Sequence, residues 1–215
     1  FAGRFMDRLS RARVLIPESP LRHLDIDGIL PEDFYEQAAR DFESIEFEKF
    51  RITHFLNGGK YRDALFVDDL SDGNYHKLSG HIKRFTNYFI ANQKTIYRVL
   101  QQKLRSSRFT DDWHLEFTLN KDARKYFIEP HPDASKNIFT MLIYFPMNND
   151  NIIHGTEFYT KEGGECPSCG IEHFMAGCKF HVAKKCEFTR NKLIAFAPNA
   201  DSWHGVKKVS EEVYG

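Results

Sequence analysis

Three residues of this sequence have the types and spacing of a metal-binding set. His131 and Asp133 lie two positions apart, and His204 follows far downstream. In an extended segment the side chains at i and i+2 point to the same side, so His131 and Asp133 can reach one ion. Two imidazoles and one carboxylate on one face of iron(II) leave other coordination positions open for dioxygen and a co-substrate. The pattern predicts a mononuclear iron(II) oxygenase site.

A simpler interpretation stays open, because a His-x-Asp motif arises often by chance. In that alternative His131 and Asp133 form a hydrogen-bonded turn, and His204 is a histidine packed in the core. The surroundings favour the metal site. An apolar run from Ile138 to Phe145 follows the motif, and the segment Asn191–Phe196 leads into the corner that holds His204.

The bulk composition limits the classes of fold and partner. At 215 residues the chain is predicted to form a single domain, and its twenty phenylalanines predict a thick aromatic core. Thirty basic and thirty acidic residues cancel, so the charge predicts no binding to nucleic acid or to a membrane. The opening FAGRFMDRLSRARVL lacks the apolar core of a signal peptide, so we expect a cytoplasmic location.

Residues 1–110 are predicted to be mostly helical and to flank the part that carries the motifs. Residues 1–24 are basic and predict a solvated arm or a leading helix. Pro31 reads as a helix start, and apolar residues recur at helical spacing after it. From Tyr75 to Leu104 the same period predicts one long amphipathic helix or two consecutive ones.

Beyond residue 110 the period changes to the alternation that is typical of strands. Apolar residues alternate with polar ones from Trp113 to Leu119. Further short strands are predicted at 126–128, 138–145, 156–160, 193–196 and 204–209. Helices followed by many short strands predict a mainly β domain with flanking N-terminal helices (α+β), built as a sandwich or barrel over residues 111–215.

Around the three candidate ligands the sequence resembles the 2-oxoglutarate- and iron(II)-dependent oxygenase superfamily, in its prolyl-hydroxylase-like branch. The resemblance lies in EPHPDASKNIFTMLIYFP, HGTEFYT and RNKLIAFAPNADSWHGVKKV, whereas residues 161–190 diverge. It implies a double-stranded β-helix, the jelly roll shared with cupins. It also implies that His131, Asp133 and His204 hold the iron.

The resemblance further implies a reaction and its co-substrates. Members of the superfamily couple the decarboxylation of 2-oxoglutarate to succinate with the hydroxylation of an organic substrate by dioxygen. Asp133 favours hydroxylation, because halogenating relatives lack this carboxylate. Two other functions stay open: a non-catalytic, cupin-like metal-binding module, and an iron oxygenase that does not use 2-oxoglutarate.

The residue that would anchor 2-oxoglutarate departs from the superfamily pattern. Relatives bind the far carboxylate with a basic residue beyond the distal histidine, usually an arginine, whose planar fork suits a carboxylate. After His204 only Lys207 and Lys208 are basic, so we expect an arginine beyond the last residue given or a lysine in its place. The hydroxyls of Tyr126 and Tyr144 are further candidates, with aromatic core packing as the alternative.

All four cysteines lie between residues 166 and 186, which favours a local metal site over a disulfide framework. Cys166-Pro-Ser-Cys169 resembles the metal knuckle of rubredoxins and zinc ribbons. A tetrahedral structural zinc needs four ligands, and the candidates are Cys166, Cys169, Cys178 and Cys186, with His181 as the alternative for the last. Such a site would cross-link and stabilise a Cys-rich insertion at residues 161–190. A disulfide or free thiols in a long loop stay open.

Overall fold

The computed structural model describes residues 1–15, 21–50, 52–57, 60–108, 110–122, 126–134, 136–148, 154–162 and 179–207. The helices are α1 (Ala2–Arg11), α2 (Glu32–Glu43), α3 (Gly73–Lys77) and α4 (Gly80–Leu104), with a 3-10 turn at Phe47–Lys49. The strands are β1 (His23–Asp27), β2 (Ile52–Asn57), β3 (Lys60–Val67), β4 (Phe117–Asp122), β5 (Ile128–His131), β6 (Thr140–Ile143), β7 (Thr156–Glu162), β8 (Lys179–Lys185), β9 (Lys192–Phe196) and β10 (His204–Val206).

These strands form three antiparallel sheets. The first sheet has the order β1-β9-β6, the second has the order β5-β10-β7-β8, and the third has the order β2-β3-β4. Strands far apart in sequence are neighbours in the first two sheets, so the fold depends on long-range pairing. The prediction of a mainly β fold with helices is confirmed in this form.

Strand β9 is the centre of the first sheet and is buried on both faces. Leu193 and Ala195 pack into the larger core with the helices, whereas Ile194 and Phe196 belong to a second apolar cluster. In that cluster Phe158 of the second sheet meets Phe196 edge to face, with ring centroids 5.3 Å apart. The first sheet is therefore a middle layer between the helices and the second sheet.

Helices α1, α2 and α4 cover the outer face of the first sheet. The predicted helix at 75–104 is one continuous element from Gly80 to Leu104, preceded by the short α3. The N-terminal segment is a packed helix rather than a solvated arm, because Phe5 and Leu9 are fully buried in the larger core. None of the helices in the described ranges has both the length and the apolar character needed to cross a bilayer.

Three strands also fall within the first 110 residues, where periodicity predicts mostly helix. β1 pairs with β9 along its whole length, from His23 opposite Phe196 to Asp27 opposite Lys192. β2 and β3 form a hairpin that continues into β4. The segment 24–30 reads from the sequence as a possible short strand, and β1 confirms it. Local sequence signals miss β2 and β3, which lie in a segment of mixed composition.

Candidate metal centre

The two candidate histidine ligands are direct neighbours in the second sheet. His131 at the end of β5 pairs with His204 at the start of β10, and their ring centroids are 4.5 Å apart. Asp133 follows β5 by two residues, and its Oδ1 lies 3.5 Å from Nε2 of His204. One ligand atom from each of the three residues lies within 4.8 Å of the others. The structure therefore brings together the three residues that the sequence pattern singles out.

Both imidazoles are held by the backbone in the same way. Nδ1 of His131 lies 2.8 Å from the carbonyl oxygen of Glu129, and Nδ1 of His204 lies 2.9 Å from that of Ser202. A carbonyl can only accept, so each Nδ1 carries the proton and donates it. This tautomer leaves a lone pair on each Nε2, which is the arrangement found in metal-binding histidines.

Asp133 is held as an ionised carboxylate. The hydroxyl of Thr140 on β6 donates a hydrogen bond to Oδ2 of Asp133. Burial by itself would raise the pKa of Asp133, but the neighbouring His204, the Thr140 hydrogen bond and the neighbouring His131 together lower it below the ordinary value. The donor set of two neutral imidazoles and one carboxylate fits an iron(II) ion.

The metal-ligand cluster lies between the first and second sheets and is shielded from water. The side chains of His204 and Asp133 are 10% and 16% exposed. The Phe196 ring packs edge-on against His204, with centroids 4.7 Å apart. Among the described residues this is the one cluster of three metal-ligating side chains at such short distances.

Gly205, next to the distal histidine, lets two strands approach closely. A Cβ atom at this position would collide with the carbonyl oxygen of Ile128 on β5 and would lie 3.1 Å from that of Glu129. The second of these carbonyls is the one that accepts from His131. Gly205 therefore sits against the backbone that orients the other imidazole.

Tyr144 and Tyr126 lie in different surroundings. The Tyr144 hydroxyl is 2.6 Å from Oγ1 of Thr156 and accepts from the Thr156 backbone N–H at 3.1 Å. Burial raises the pKa of Tyr144 to about 12, so the phenol keeps its proton. Tyr126 is buried just before β5, and the guanidinium carbon of Arg62 lies 4.6 Å from its ring centroid.

The first lysine after His204 gives no buried cation. Lys207 is exposed directly after β10, and Lys208 lies outside the described residues.

The cysteine prediction falls largely outside the described residues, which do not include Cys166, Cys169 and Cys178. Cys186 is a free thiol and is fully buried in the second apolar cluster. Burial raises the pKa of Cys186 to about 12, so the thiol keeps its proton when no metal is bound. His181 is largely exposed on β8, and its Nε2 lies 3.0 Å from a carboxylate oxygen of Glu162. This placement favours His181 over Cys186 as a ligand.

Comparison with known proteins supports the fold assignment. No protein-family model matches the chain, and no curated protein matches it. The crystal structure of a prolyl-4-hydroxylase from Pseudomonas putida matches over 97% of this chain and 91% of that chain, with a TM-score of 0.50 and 11% sequence identity. The chain has a prolyl-hydroxylase-like fold. The resemblance seen in the sequence motifs is thus matched at the level of the fold.

Two residues of this prolyl-hydroxylase-like fold have side chains that could take part in binding or catalysis, and the sequence pattern does not indicate either of them. Arg62 lies on β3, in a segment without clear periodicity, and reaches Tyr126. His23 on β1 is fully buried, and its Nε2 has no hydrogen-bond partner among the described residues. Only the pairing of distant strands brings either residue near the sandwich.

Proposed function

We propose that the protein is an iron(II)- and 2-oxoglutarate-dependent dioxygenase that hydroxylates an organic substrate, either a small molecule or a protein side chain. The observation that carries the proposal is the cluster of His131, Asp133 and His204, whose ligand atoms lie within 4.8 Å of one another. The prolyl-hydroxylase-like fold supports it independently. The order of strands in the first two sheets supports a double-stranded β-helix as the architecture around the site.

In this proposal His131, Asp133 and His204 hold the metal, and each is prepared by a neighbour. The carbonyls of Glu129 and Ser202 orient the two imidazoles, and the Thr140 hydroxyl holds the carboxylate. When bound, iron(II) would supply the activation of dioxygen that is coupled to the decarboxylation of 2-oxoglutarate to succinate and to substrate hydroxylation. Phe196 packs against His204 and helps to keep bulk water from that ligand.

The co-substrate is proposed to run along the sandwich from the metal ligands toward Tyr144. His204 pairs with Phe158 and Val206 pairs with Thr156, so Thr156 lies two residues along the strand from the ligand level. Two residues of a strand span about 7 Å. The two carboxylate carbons of 2-oxoglutarate are separated by four C–C bonds of about 1.5 Å, and therefore by about 5 Å when extended. The hydroxyl of Tyr144 at Thr156 is at a suitable depth for the far carboxylate, and Tyr126 is the second candidate.

A structural zinc in the Cys-rich insertion remains part of the proposal. Its ligands would be Cys166, Cys169, Cys178 and His181, because Cys186 is in the apolar core. Elemental analysis checks this directly. One equivalent of zinc that is lost in the double variant Cys166→Ser/Cys169→Ser supports the site, and a zinc-free protein contradicts it.

The decisive test of the dioxygenase is an anaerobic titration with iron(II) followed by 2-oxoglutarate. We expect a weak visible charge-transfer band in the wild type and none in His131→Ala. On admission of dioxygen the wild type should form succinate from 2-oxoglutarate, and the variant should not. His114→Ala is a suitable control, since His114 lies outside the metal-ligand cluster.

The two other functions give different results in the same titration. Metal binding without any response to 2-oxoglutarate would contradict the proposal and support a non-catalytic module. Consumption of dioxygen with no need for 2-oxoglutarate would instead point to another class of iron oxygenase.

A further inference from the structure

Helices α1 and α4 and the residues beside them carry almost no acidic side chains. Residues 73–110 contain eight lysine and arginine residues and no aspartate or glutamate. Residues 1–13 contain four arginines and one acidic residue, Asp7. The net charge of zero is therefore an average over the chain and coexists with a strongly basic region. Such a region can attract a partner that the net charge does not predict.

The fold places these two helices side by side, so their charges act on the same surface. The hydroxyl of Tyr88 donates to the carbonyl of Ala2 near the start of α1, at 3.3 Å. Nζ of Lys103 donates to the carbonyl of Ala12 just after the end of α1, at 2.8 Å. Helix α1 therefore runs along α4. We define the basic face as the exposed cations of this helix pair and its flanks, which are Arg4, Arg11, Arg13, Arg84, Lys94, Arg98 and Arg105.

Most cations of the basic face are available to an external anion. Arg11 pairs with Asp7 at 2.8 Å, and the other six form no ion pair with any residue in the described ranges. The less exposed cations nearby are used differently. Lys83, Lys103 and Arg108 each donate to a backbone carbonyl and so help to hold the fold. The charge of the basic face thus has no internal counterpart in the part of the chain that the structure describes.

The basic face has no apolar anchor, and this decides between classes of partner. The large apolar side chains that are exposed in the described ranges are Leu70, Met147 and Val182, and none of them lies on α1 or α4. A helix that lies in a membrane surface inserts apolar side chains, and a protein interface is centred on aromatic or aliphatic anchors. Cations without such anchors fit the phosphate groups of a nucleic acid.

The shape of the basic face selects the type of nucleic acid. Helix α4 is held between neighbours, since its Phe89 meets Phe5 of α1 and its His81 meets Phe34 of α2, with ring centroids 5.0 and 5.4 Å apart. A helix held in this way cannot enter the deep major groove of B-form DNA. A broad polar face can lie on the wide, shallow minor groove of A-form RNA, which displays 2′-hydroxyls.

The length and the polar residues of α4 also suit a duplex. From Arg84 to Arg105 the helix rises by about 32 Å at about 1.5 Å per residue, which is close to one turn of a duplex. Amide and hydroxyl side chains that can bond to 2′-hydroxyls are exposed between the cations, at Asn87, Thr95 and Gln102.

We propose that the basic face binds double-stranded RNA through its phosphates and 2′-hydroxyls, without reading its sequence. The helices cover the outer face of the first sheet, whereas the metal-ligand cluster lies between the first and second sheets. The basic face is therefore a docking surface separate from the candidate metal centre. This binding goes beyond the proposed function and does not depend on it.

The test is a fluorescence-anisotropy titration of the full chain with a labelled RNA duplex of about 20 base pairs, roughly two helical turns. The logarithm of the affinity should fall linearly with the logarithm of the salt concentration, with a slope of about −4 for about four phosphate contacts. Lys94→Gln/Arg98→Gln should weaken binding at least about tenfold at about 0.1 M salt and reduce the size of the slope by about two. Both side chains are exposed, so the melting temperature should not change.

The matched control is Lys161→Gln/Lys179→Gln, which removes two cations from β7 and β8 of the second sheet and should bind the RNA duplex like the wild type. A DNA duplex of the same sequence should bind at least about threefold more weakly, because it lacks the 2′-hydroxyls. Equal losses in the two double variants would contradict the basic face as the binding surface. Equal affinity for the DNA duplex would overturn the assignment to RNA. Binding to phosphatidylserine vesicles without binding to RNA would assign the face to a membrane and also overturn the proposal.

Discussion

Two regions of the sandwich carry a buried histidine with the same local geometry and different surroundings. His204 at the metal centre and His23 on β1 each have Nδ1 near the carbonyl oxygen two residues earlier, at 2.9 and 3.2 Å. His204 has a carboxylate at 3.5 Å and a second imidazole beside it. His23 instead packs on the Phe158 ring, and its Nε2 has no partner among the described residues.

The comparison shows that the backbone tether alone does not assemble a candidate metal site. Burial lowers the pKa of His23, so this imidazole is held neutral without any ligand partner. Only at the β5–β10 end does strand pairing add the two further ligands that a metal requires. The second region is therefore an internal control for the first.

The largest effect should come from exchanging the ligand histidine. His204→Gln removes one of three protein ligands, and we expect iron(II) affinity to fall by more than about 100-fold, beyond the range typical of supporting residues. His23→Gln is the matched variant in the other region and should bind iron(II) like the wild type. Anaerobic metal titration measures both. A similar loss of iron(II) affinity in the two variants would contradict the proposed difference between the two regions.

A smaller effect is expected for the residue that holds Asp133. Thr140→Val keeps the shape of the side chain and removes the hydroxyl that donates to the carboxylate. Loss of such a supporting hydrogen bond typically costs 10–100-fold in metal affinity, and we expect a decrease of about this size. Thr140→Ser retains the donor and should recover most of the affinity. An unchanged affinity in Thr140→Val would show that the carboxylate needs no support.

The smallest effect concerns stability and its dependence on pH at His23. Because the pKa of His23 is lowered in the folded state, the unfolded chain binds more protons as the pH falls. The wild type should lose stability below about pH 6.5, the ordinary pKa of histidine, by up to about 1.4 kcal/mol per pH unit. His23→Phe cannot take up this proton.

Chemical denaturation of metal-free protein between pH 8 and pH 5 checks the prediction for His23. The curve of His23→Phe should be flatter than that of the wild type across this range. Identical slopes would mean that another group, and not His23, controls the acid sensitivity.

The cluster of His131, Asp133 and His204 could be predicted from the sequence because part of its chemistry is local. The spacing of His131 and Asp133 places both on one side of a strand, and the buried strand β9 leads toward His204. Arg62 could not be predicted, since its relation to Tyr126 depends on the pairing of β3 with β4 and on how the sheets pack. Cys186 illustrates the converse. Its position in the Cys-rich stretch suits a zinc ligand, whereas the structure buries its thiol in the second apolar cluster.

The pairing of strand β1 illustrates why the order of the sheets lies beyond local patterns, although the segment itself reads as a possible strand. Its five residues pair with β9, which is more than 160 residues away in the chain. No periodicity within the segment reports such a partner. The helices are different, because their apolar spacing and start signals are contained in the element itself.

Gly205 has a consequence for how this protein can evolve. Its missing side chain leaves room for the carbonyl of Glu129, and that carbonyl orients the imidazole of His131. A single added carbon atom at position 205 would therefore push against the Glu129 carbonyl and disturb the orientation of His131 on the neighbouring strand. It would do so without touching His131 itself. Substitution of Gly205 is therefore strongly constrained. Substitution of the exposed Lys207, two residues later, is not. A lineage that retains the activity should keep a glycine there even where its substrate, and the loops that select it, have changed.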